Sequence, residues 1–311
     1  MPSGYKLKPL RNMTYSEIWH RIATSYDDGE ARAIARILIE ELFGLSYADI
    51  VCGATEQLSA DDTLRLDTAV RRIEQGEPLQ HVLGYADFCG NRFCVNGSVL
   101  IPRPETEWLV DEGAKLMDGC IASDETQHKA PHSPKRILDI GTGSGCIAIS
   151  LKLRLGDAYV EAWDISEEAL RTAQDNADAL KAEVVFRKRD ALRADNTAAP
   201  WDLIVSNPPY ICDSERSAMD DNVLLHEPHT ALFVPDDDPL RFYRAIARYA
   251  LLTLNIGGSL LFECNTRYAE ATGTMLSDMG FEEVTISDDC FNLPRFVRGT
   301  SPSQPSPSGR A

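Results

Sequence analysis

From Arg136 to about Met279 the chain repeats one pattern: a short apolar, β-branched run, a turn, then a stretch of helical periodicity. Residues 137–140, 159–163, 184–186, 203–205 and 259–262 read as strands. Helices are expected from the first turn to about Leu155, over 166–180, around 240–254 and over 268–279. Strands separated by helical crossovers can pair in parallel, because each crossover returns the chain to the same end of the sheet. The pattern predicts an α/β fold with a doubly wound, mostly parallel sheet. Two last runs, 283–287 and 295–298, are joined too closely for a crossover and predict an antiparallel hairpin at one edge. Open sheets of this kind bind ligands beyond the carboxyl ends of their strands, so chemistry is to be sought there.

The first strand ends in Asp139-Ile140-Gly141-Thr142-Gly143-Ser144-Gly145-Cys146. Glycines at such a turn let the backbone approach a ligand and take φ values barred to other residues. A tight turn packing helix on strand would also use glycine, so the neighbouring strand ends matter. The next strand ends in Asp164, an acid about 20 residues on and suited to ribose hydroxyls, and the third is followed by Asp190. The G-x-G-x-G spacing differs from the dinucleotide G-x-G-x-x-G, and the acidic Asp139 before the first glycine would repel a pyrophosphate. A zwitterionic methionine with a sulfonium tolerates such acids, which favours S-adenosylmethionine over a nicotinamide cofactor.

The fourth strand stops at Asn207-Pro208-Pro209-Tyr210. Two prolines end regular structure, and the residue before a proline is pushed toward extended conformations, so Asn207 is presented at the strand end. Asn207 Oδ1 and the Pro208 carbonyl offer two acceptors, and Tyr210 a flat ring. That set suits an amide or exocyclic –NH2 group. Such a nitrogen is a poor nucleophile, since its lone pair is delocalised. Two acceptors on its N–H bonds would localise electron density and aim it at an activated methyl.

The chain has 311 residues, enough for one large domain or two. Its net charge of −17 argues against nucleic-acid binding, which draws on Lys and Arg to neutralise phosphates. Eight cysteines without a C-x-x-C read as reduced, structural thiols, with no metal site. With no apolar run long enough to span a bilayer and no signal peptide, a cytoplasmic location without a membrane role is expected.

Residues 13–75 read as helices: one capped by Thr14 with Glu17 in a capping box, one from Glu30 to Phe43 stopped by Gly44, and one from Asp61 to Glu74 ended by Gly76. His20 and Arg71-Arg72 read as solvated or structural. The expected organisation is a helical partner-docking domain over 1–76, a linking β-hairpin over 77–104 turning near Gly90-Asn91, and a cofactor-binding domain over 105–299. The last opens with a helix over about 105–117. Residues 119–134 are expected to be a mobile polar loop and 300–311 a disordered tail.

Residues 138–145 resemble motif I of class I S-adenosylmethionine-dependent methyltransferases, and Asn207-Pro208-Pro209-Tyr210 resembles the motif of amino-methyltransferases. Gly76-Glu77-Pro78-Leu79-Gln80, Phe88-Cys89-Gly90, Leu100-Ile101-Pro102-Arg103-Pro104-Glu105-Thr106-Glu107, Glu227-Pro228 and Leu293-Pro294-Arg295 narrow the likeness. Together they are similar to the protein-(glutamine-N5) methyltransferases acting on peptide chain release factors, the HemK/PrmC family, over roughly residues 13–299. The resemblance implies a Rossmann-like methyltransferase sheet with an antiparallel C-terminal hairpin and a small all-helical N-terminal domain. It implies methyl transfer from S-adenosyl-L-methionine, leaving S-adenosyl-L-homocysteine, to the glutamine amide of the Gly-Gly-Gln motif in class I release factors. By position, Gly141, Thr142, Gly143, Ser144 and Gly145 would line the methionine and ribose, Asp164 would hold the ribose, and Asp190 and Ala191 would face the adenine. Asn207, Pro208, Pro209 and Tyr210 would hold the glutamine, with Asn207 also touching the cofactor and Asn207, Pro208 and Tyr210 acting in catalysis. Ala191-Leu192 departs from the family, where an aromatic often follows the acid. The alternatives are a glutamine methyltransferase acting on a large-subunit ribosomal protein, a DNA or RNA amino-methyltransferase, and a silent cofactor-binding scaffold.

Overall fold

The computed structural model describes residues 11–122, 134–194 and 200–303, which form two compact units. The first runs to Gly84 and takes in Asp220–His226 from far along the chain. It contains α1 (Tyr15–Ile22), α2 (Asp28–Phe43), α3 (Tyr47–Val51), α4 (Ala60–Glu74) and α5 (Leu79–Leu83). Thr14 and Glu17 form the expected reciprocal cap on α1, and α2 stops at Gly44 in the left-handed region, φ +66°. Ile18, Ile22, Leu38, Ile39, Leu66, Val70 and Ile73 close the helices on one apolar core. Arg21 fastens α1 to α4: its Nε and Nη2 reach Glu74 at 2.7 and 2.6 Å, and its Nη1 reaches Asp67 at 2.8 Å. Arg72 grips Glu77 through two nitrogens, at 2.7 and 2.6 Å, and so has a structural partner. The short helices α3 and α5 carry too few turns to show a period, and the sequence reading passed over them.

The second unit opens with the hairpin β1 (Tyr85–Phe88) and β2 (Asn91–Cys94). Cys89 and Gly90 form its two-residue turn, both at positive φ, +48° and +72°. Pro104–Thr106 form one tight helical turn before α6 (Glu107–Ala122). The helix thus continues past 119, where the sequence reading starts a loop, and the stretch 123–133 lies outside the described residues. Next come β3 (Arg136–Ile140), α7 (Cys146–Leu155), β4 (Tyr159–Asp164), α8 (Glu167–Leu180), β5 (Val184–Lys188) and β6 (Trp201–Ser206). The two-residue strands β7 (Ile211–Cys212) and β8 (Phe233–Val234) pair with each other; between them lie α9 (Asp221–His226), of the first unit, and α10 (His229–Leu232). The chain ends with α11 (Arg241–Thr253), β9 (Leu254–Glu263), α12 (Ala269–Met279), β10 (Glu282–Asp288) and β11 (Pro294–Thr300).

Seven strands make one sheet in the order β10-β11-β9-β6-β3-β4-β5. The five strands β9, β6, β3, β4 and β5 are parallel, and the β10–β11 hairpin is antiparallel, with β11 on β9 and β10 at the edge. Side chains alternate between two cores as strand geometry demands. Ile137, Leu203, Val205 and Leu261 face the core that holds Leu109 of α6 and Leu151 of α7, while Leu138, Ile204, Leu260 and Phe262 face Tyr243, Ile246 and Leu276 of α11 and α12. Thr300 belongs to β11, and Ser301 N donates to Gly258 O at 2.7 Å, so the strand outlasts the boundary expected at 299. Residues 304–311 lie outside the described chain. Among the described residues no helix is long and apolar enough to cross a membrane.

Candidate active site

The sheet order reverses between β3 and β6, since β4 and β5 follow on one side of β3 and β6 and β9 lie on the other. Loops diverge at such a switch point and leave a crevice. Ile140 pairs with Ser206, which sets the glycine turn beside Asn207. Ser206 Oγ donates to Ile140 O at 2.6 Å, and a Cβ on Gly141 would sit 4.0 Å from the Asn207 carbonyl oxygen. The turn is also tied to β4, because Gly141 N and Thr142 N both donate to Trp163 O, at 2.8 and 2.9 Å.

A cavity of about 350 Å³ opens over these strand ends. Gly141, Gly143, Asp164, Asp190, Ala191, Asn207, Pro208 and Pro209 line it, so eight of the residues read from the sequence share one wall. Thr142, Ser144 and Gly145 do not. The Thr142 hydroxyl donates to Asp139 Oδ2 at 2.6 Å, Ser144 is buried, and Gly145 caps α7 at φ +81° against Ile149 and Ala173. Those three shape the turn from behind. Ser98, Val99, Leu100, Ile165 and Phe242 also line the cavity, and the sequence reading named none of them for a site. Val99 falls within the expected hairpin segment 77–104, and Phe242 within the helix expected around 240–254. Only Leu100, at the head of the Pro-Arg-Pro-Glu-Thr-Glu segment, carried a signal. Ile165, Leu192, Phe242 and Ile246 supply an apolar wall beside Ala191, where the sequence lacks a ring.

Asp164 is largely enclosed, and burial pushes its carboxyl above the usual range. Its Oδ2 accepts from Gly143 N and its Oδ1 from Ser166 N, each at 2.9 Å, and the carboxylate keeps acceptor capacity for a ligand. Asp190 Oδ1 accepts from Leu192 N at 2.9 Å. Asp139 lies behind the turn with no exposure, and desolvation raises its pKa from 3.8 to about 7.

Asn207 and Tyr210 flank the two prolines and approach one buried carboxylate. Asn207 Nδ2 lies 3.4 Å from Thr106 Oγ1, whose hydroxyl donates to Glu263 Oε2 at 2.7 Å. The Tyr210 hydroxyl lies 3.4 Å from Glu263 Oε1. Tyr210 does not line the cavity, and burial holds its phenol well above the ordinary value. Glu227, 4% exposed, accepts from Ile101 N at 3.1 Å and pairs with Arg103 at 2.5 Å, which fastens the segment before α6 to that before α10.

A model for the PrmC N-terminal domain matches residues 20–84, and one for the methyltransferase small domain matches residues 108–232. The chain is 43% identical to the release factor glutamine methyltransferase of Bacteroides thetaiotaomicron, over 88% of this chain and 93% of that one. It is 36% identical to the protein of the same name from Flavobacterium psychrophilum, over 89% and 94%. Among solved structures, the hMettl16 catalytic domain in complex with the MAT2A 3'UTR hairpin 6 shares the fold, with TM-score 0.50 and 18% identity over 77% of this chain and 81% of that one. Identity at this level over nearly the whole length, with both domain models in sequence, means that the chain belongs to the release factor glutamine methyltransferase family.

Proposed function

We propose that this chain transfers the methyl group of S-adenosylmethionine to the side-chain amide nitrogen of the glutamine in the Gly-Gly-Gln motif of class I peptide chain release factors. One observation carries the reading: Gly141 and Gly143 line the same cavity as Asn207-Pro208-Pro209, in a member of this family. The residues fit the cofactor. Gly143 has φ +55° and open space where a Cβ would stand, Asp164 keeps lone pairs for ribose hydroxyls, and apolar side chains offer a surface for adenine. When bound, the cofactor supplies a methyl already activated on a sulfonium.

The chain's own residues then act by orientation. Asn207 Oδ1 and the Pro208 carbonyl would accept the two amide N–H bonds, localising the lone pair on nitrogen and aligning it with the methyl. Tyr210 would serve from behind the wall, holding the Pro-Pro turn, as its ring is packed and its hydroxyl faces Glu263. No base is required before transfer, because the methylated nitrogen becomes acidic and releases its proton afterwards. The net charge of −17 favours a basic protein partner over a nucleic acid.

Asn207→Ala tests the assignment with a purified class I release factor as acceptor. The turnover should fall by about 100-fold, the scale lost when a transition-state acceptor is removed. The dissociation constant of S-adenosylmethionine should change by less than about threefold, since uniform binding is untouched. Equal losses in both would assign Asn207 to the cofactor instead.

A further inference from the structure

We propose that Thr106 and Glu263 are positioning residues that dictate which end of the Asn207 amide faces the acceptor nitrogen. This rests on the reading that the acceptor is a primary amide. An asparagine amide has two ends of nearly equal shape and opposite hydrogen-bonding character. With Oδ1 forward, Asn207 accepts from a target –NH2. Flipped, it would set donors against donors and leave the target unaligned. Nothing in the isolated side chain selects between these states.

Thr106 makes the selection through the polarity of its one hydroxyl proton. That proton is directed to Glu263 Oε2 at 2.7 Å, so only lone pairs remain toward Asn207. The Asn207 atom 3.4 Å away must then be the donor, Nδ2, and Oδ1 is turned elsewhere. The contact is long, as catalytic contacts often are before substrate tightens them. Glu263 is 1% exposed at the end of β9, the strand beside β6. An ionised carboxylate is an acceptor on both oxygens, which is what the relay requires. Its second oxygen takes the Tyr210 hydroxyl at 3.4 Å. One buried carboxylate thus governs both ends of Asn207-Pro208-Pro209-Tyr210, one end through Thr106 and the other directly. Thr106 itself arrives from the Pro104–Thr106 turn, which gives the Pro-Arg-Pro-Glu-Thr-Glu segment a role beyond capping α6.

The test uses the full chain with Thr106→Val, Thr106→Ser and Glu263→Met, and places Thr106→Val also in an Asn207→Ala background. Thr106→Val should lower kcat by roughly 10–100-fold, the range for a misaligned reacting group. KM for the release factor and the affinity for S-adenosylmethionine should stay within about threefold. Thr106→Ser, which keeps the hydroxyl, should restore kcat to within about threefold, and Thr106→Val should cost nothing more once Asn207 is gone. Losses that multiply in the double variant, or a serine that fails to rescue, would reduce Thr106 to a packing residue and overturn the proposal. Should Thr106→Val fail to fold, Glu263→Met removes both acceptor oxygens at nearly the same side-chain length and should give the same kcat-only loss. A second readout needs no protein substrate: hydrogen exchange of the Asn207 side-chain –NH2, followed by NMR with S-adenosylhomocysteine bound. It should accelerate by about tenfold or more in Thr106→Val, as protection is lost with the partner. An unchanged rate overturns the proposal. If the wild type transfers no methyl to a release factor, the substrate reading fails, and this exchange rate still decides the positioning claim.

Discussion

Gly145 caps α7 at φ +81°, and a Cβ built there would lie 2.9 Å from Ile149 Cδ1, 3.1 Å from Ala173 Cβ and 3.4 Å from Ala173 Cα. Alanine at this position meets two penalties. Left-handed backbone costs a residue with a Cβ about 1–2 kcal/mol. Forcing a methyl into a packed contact costs about 1–3 kcal/mol, and here the Ala173 methyl, fixed directly to α8, has little room to give. Gly143 provides the control within the same turn: its φ is +55°, and nothing lies within 4 Å of its Cβ position. Gly143→Ala should therefore show the backbone penalty without the overlap. The stiffer unfolded chain returns about 0.4–1 kcal/mol in both variants and cancels from the comparison. Gly145→Ala is expected to be less stable than Gly143→Ala by about 1–3 kcal/mol, a difference of roughly 3–10 °C in melting temperature for a unit of this size. Thermal melts of the ligand-free proteins measure it. Gly143 lines the cavity, so its alanine variant should instead be the one that weakens S-adenosylmethionine binding in proportion to its small loss of stability. Equal melting temperatures for the two variants would refute the division of the turn into a ligand-facing and a packing half.

Asp164→Ala should weaken S-adenosylmethionine by about 10–100-fold, the loss of one or two hydrogen bonds to a charged acceptor, measurable by calorimetry. An unchanged affinity would remove Asp164 from the ribose. Asp139 gives a pH signature. Its proton is held more tightly in the folded chain, where the pKa is about 7, than in the unfolded chain near 3.8. Between those values the folded state binds the extra proton, so stability falls as pH rises through the window. Asp139→Asn should therefore gain on the wild type in urea unfolding from pH 5 to pH 8, and a difference that shrinks with pH would contradict the assignment.

Much of this architecture was legible because its elements are long and periodic. Five strand runs and the helices between them fixed the parallel sheet, and the close pairing of the last two runs fixed the edge hairpin. The site was legible to the extent that chemistry falls at strand ends: Asp164 closes a strand, Gly141, Asp190 and Asn207 each follow one, and the sheet brings them to one cavity. Long-range partners were not. Thr106 and Glu263 are 157 positions apart, and each has an ordinary local reading, one in a helix's first turn and one closing a strand. Tyr210 reads from the sequence as part of the substrate surface, and its phenol lies 3.4 Å from Glu263, a partner that no local pattern names. The same holds for Asp220–His226, which joins the N-terminal helices from more than a hundred residues away. Phe242 sits one position from the buried Tyr243, so periodicity sees a helix and not a cavity wall.

The most direct test of the central claim is transfer of labelled methyl from S-adenosylmethionine to a purified class I release factor, beside its Gly-Gly-Gln→Gly-Gly-Ala variant, a large-subunit ribosomal protein and duplex DNA. The account predicts label on the wild-type factor alone, located by mass spectrometry on the glutamine side chain. Label on the ribosomal protein or the DNA, or equal label on the Gly-Gly-Ala variant, would contradict it.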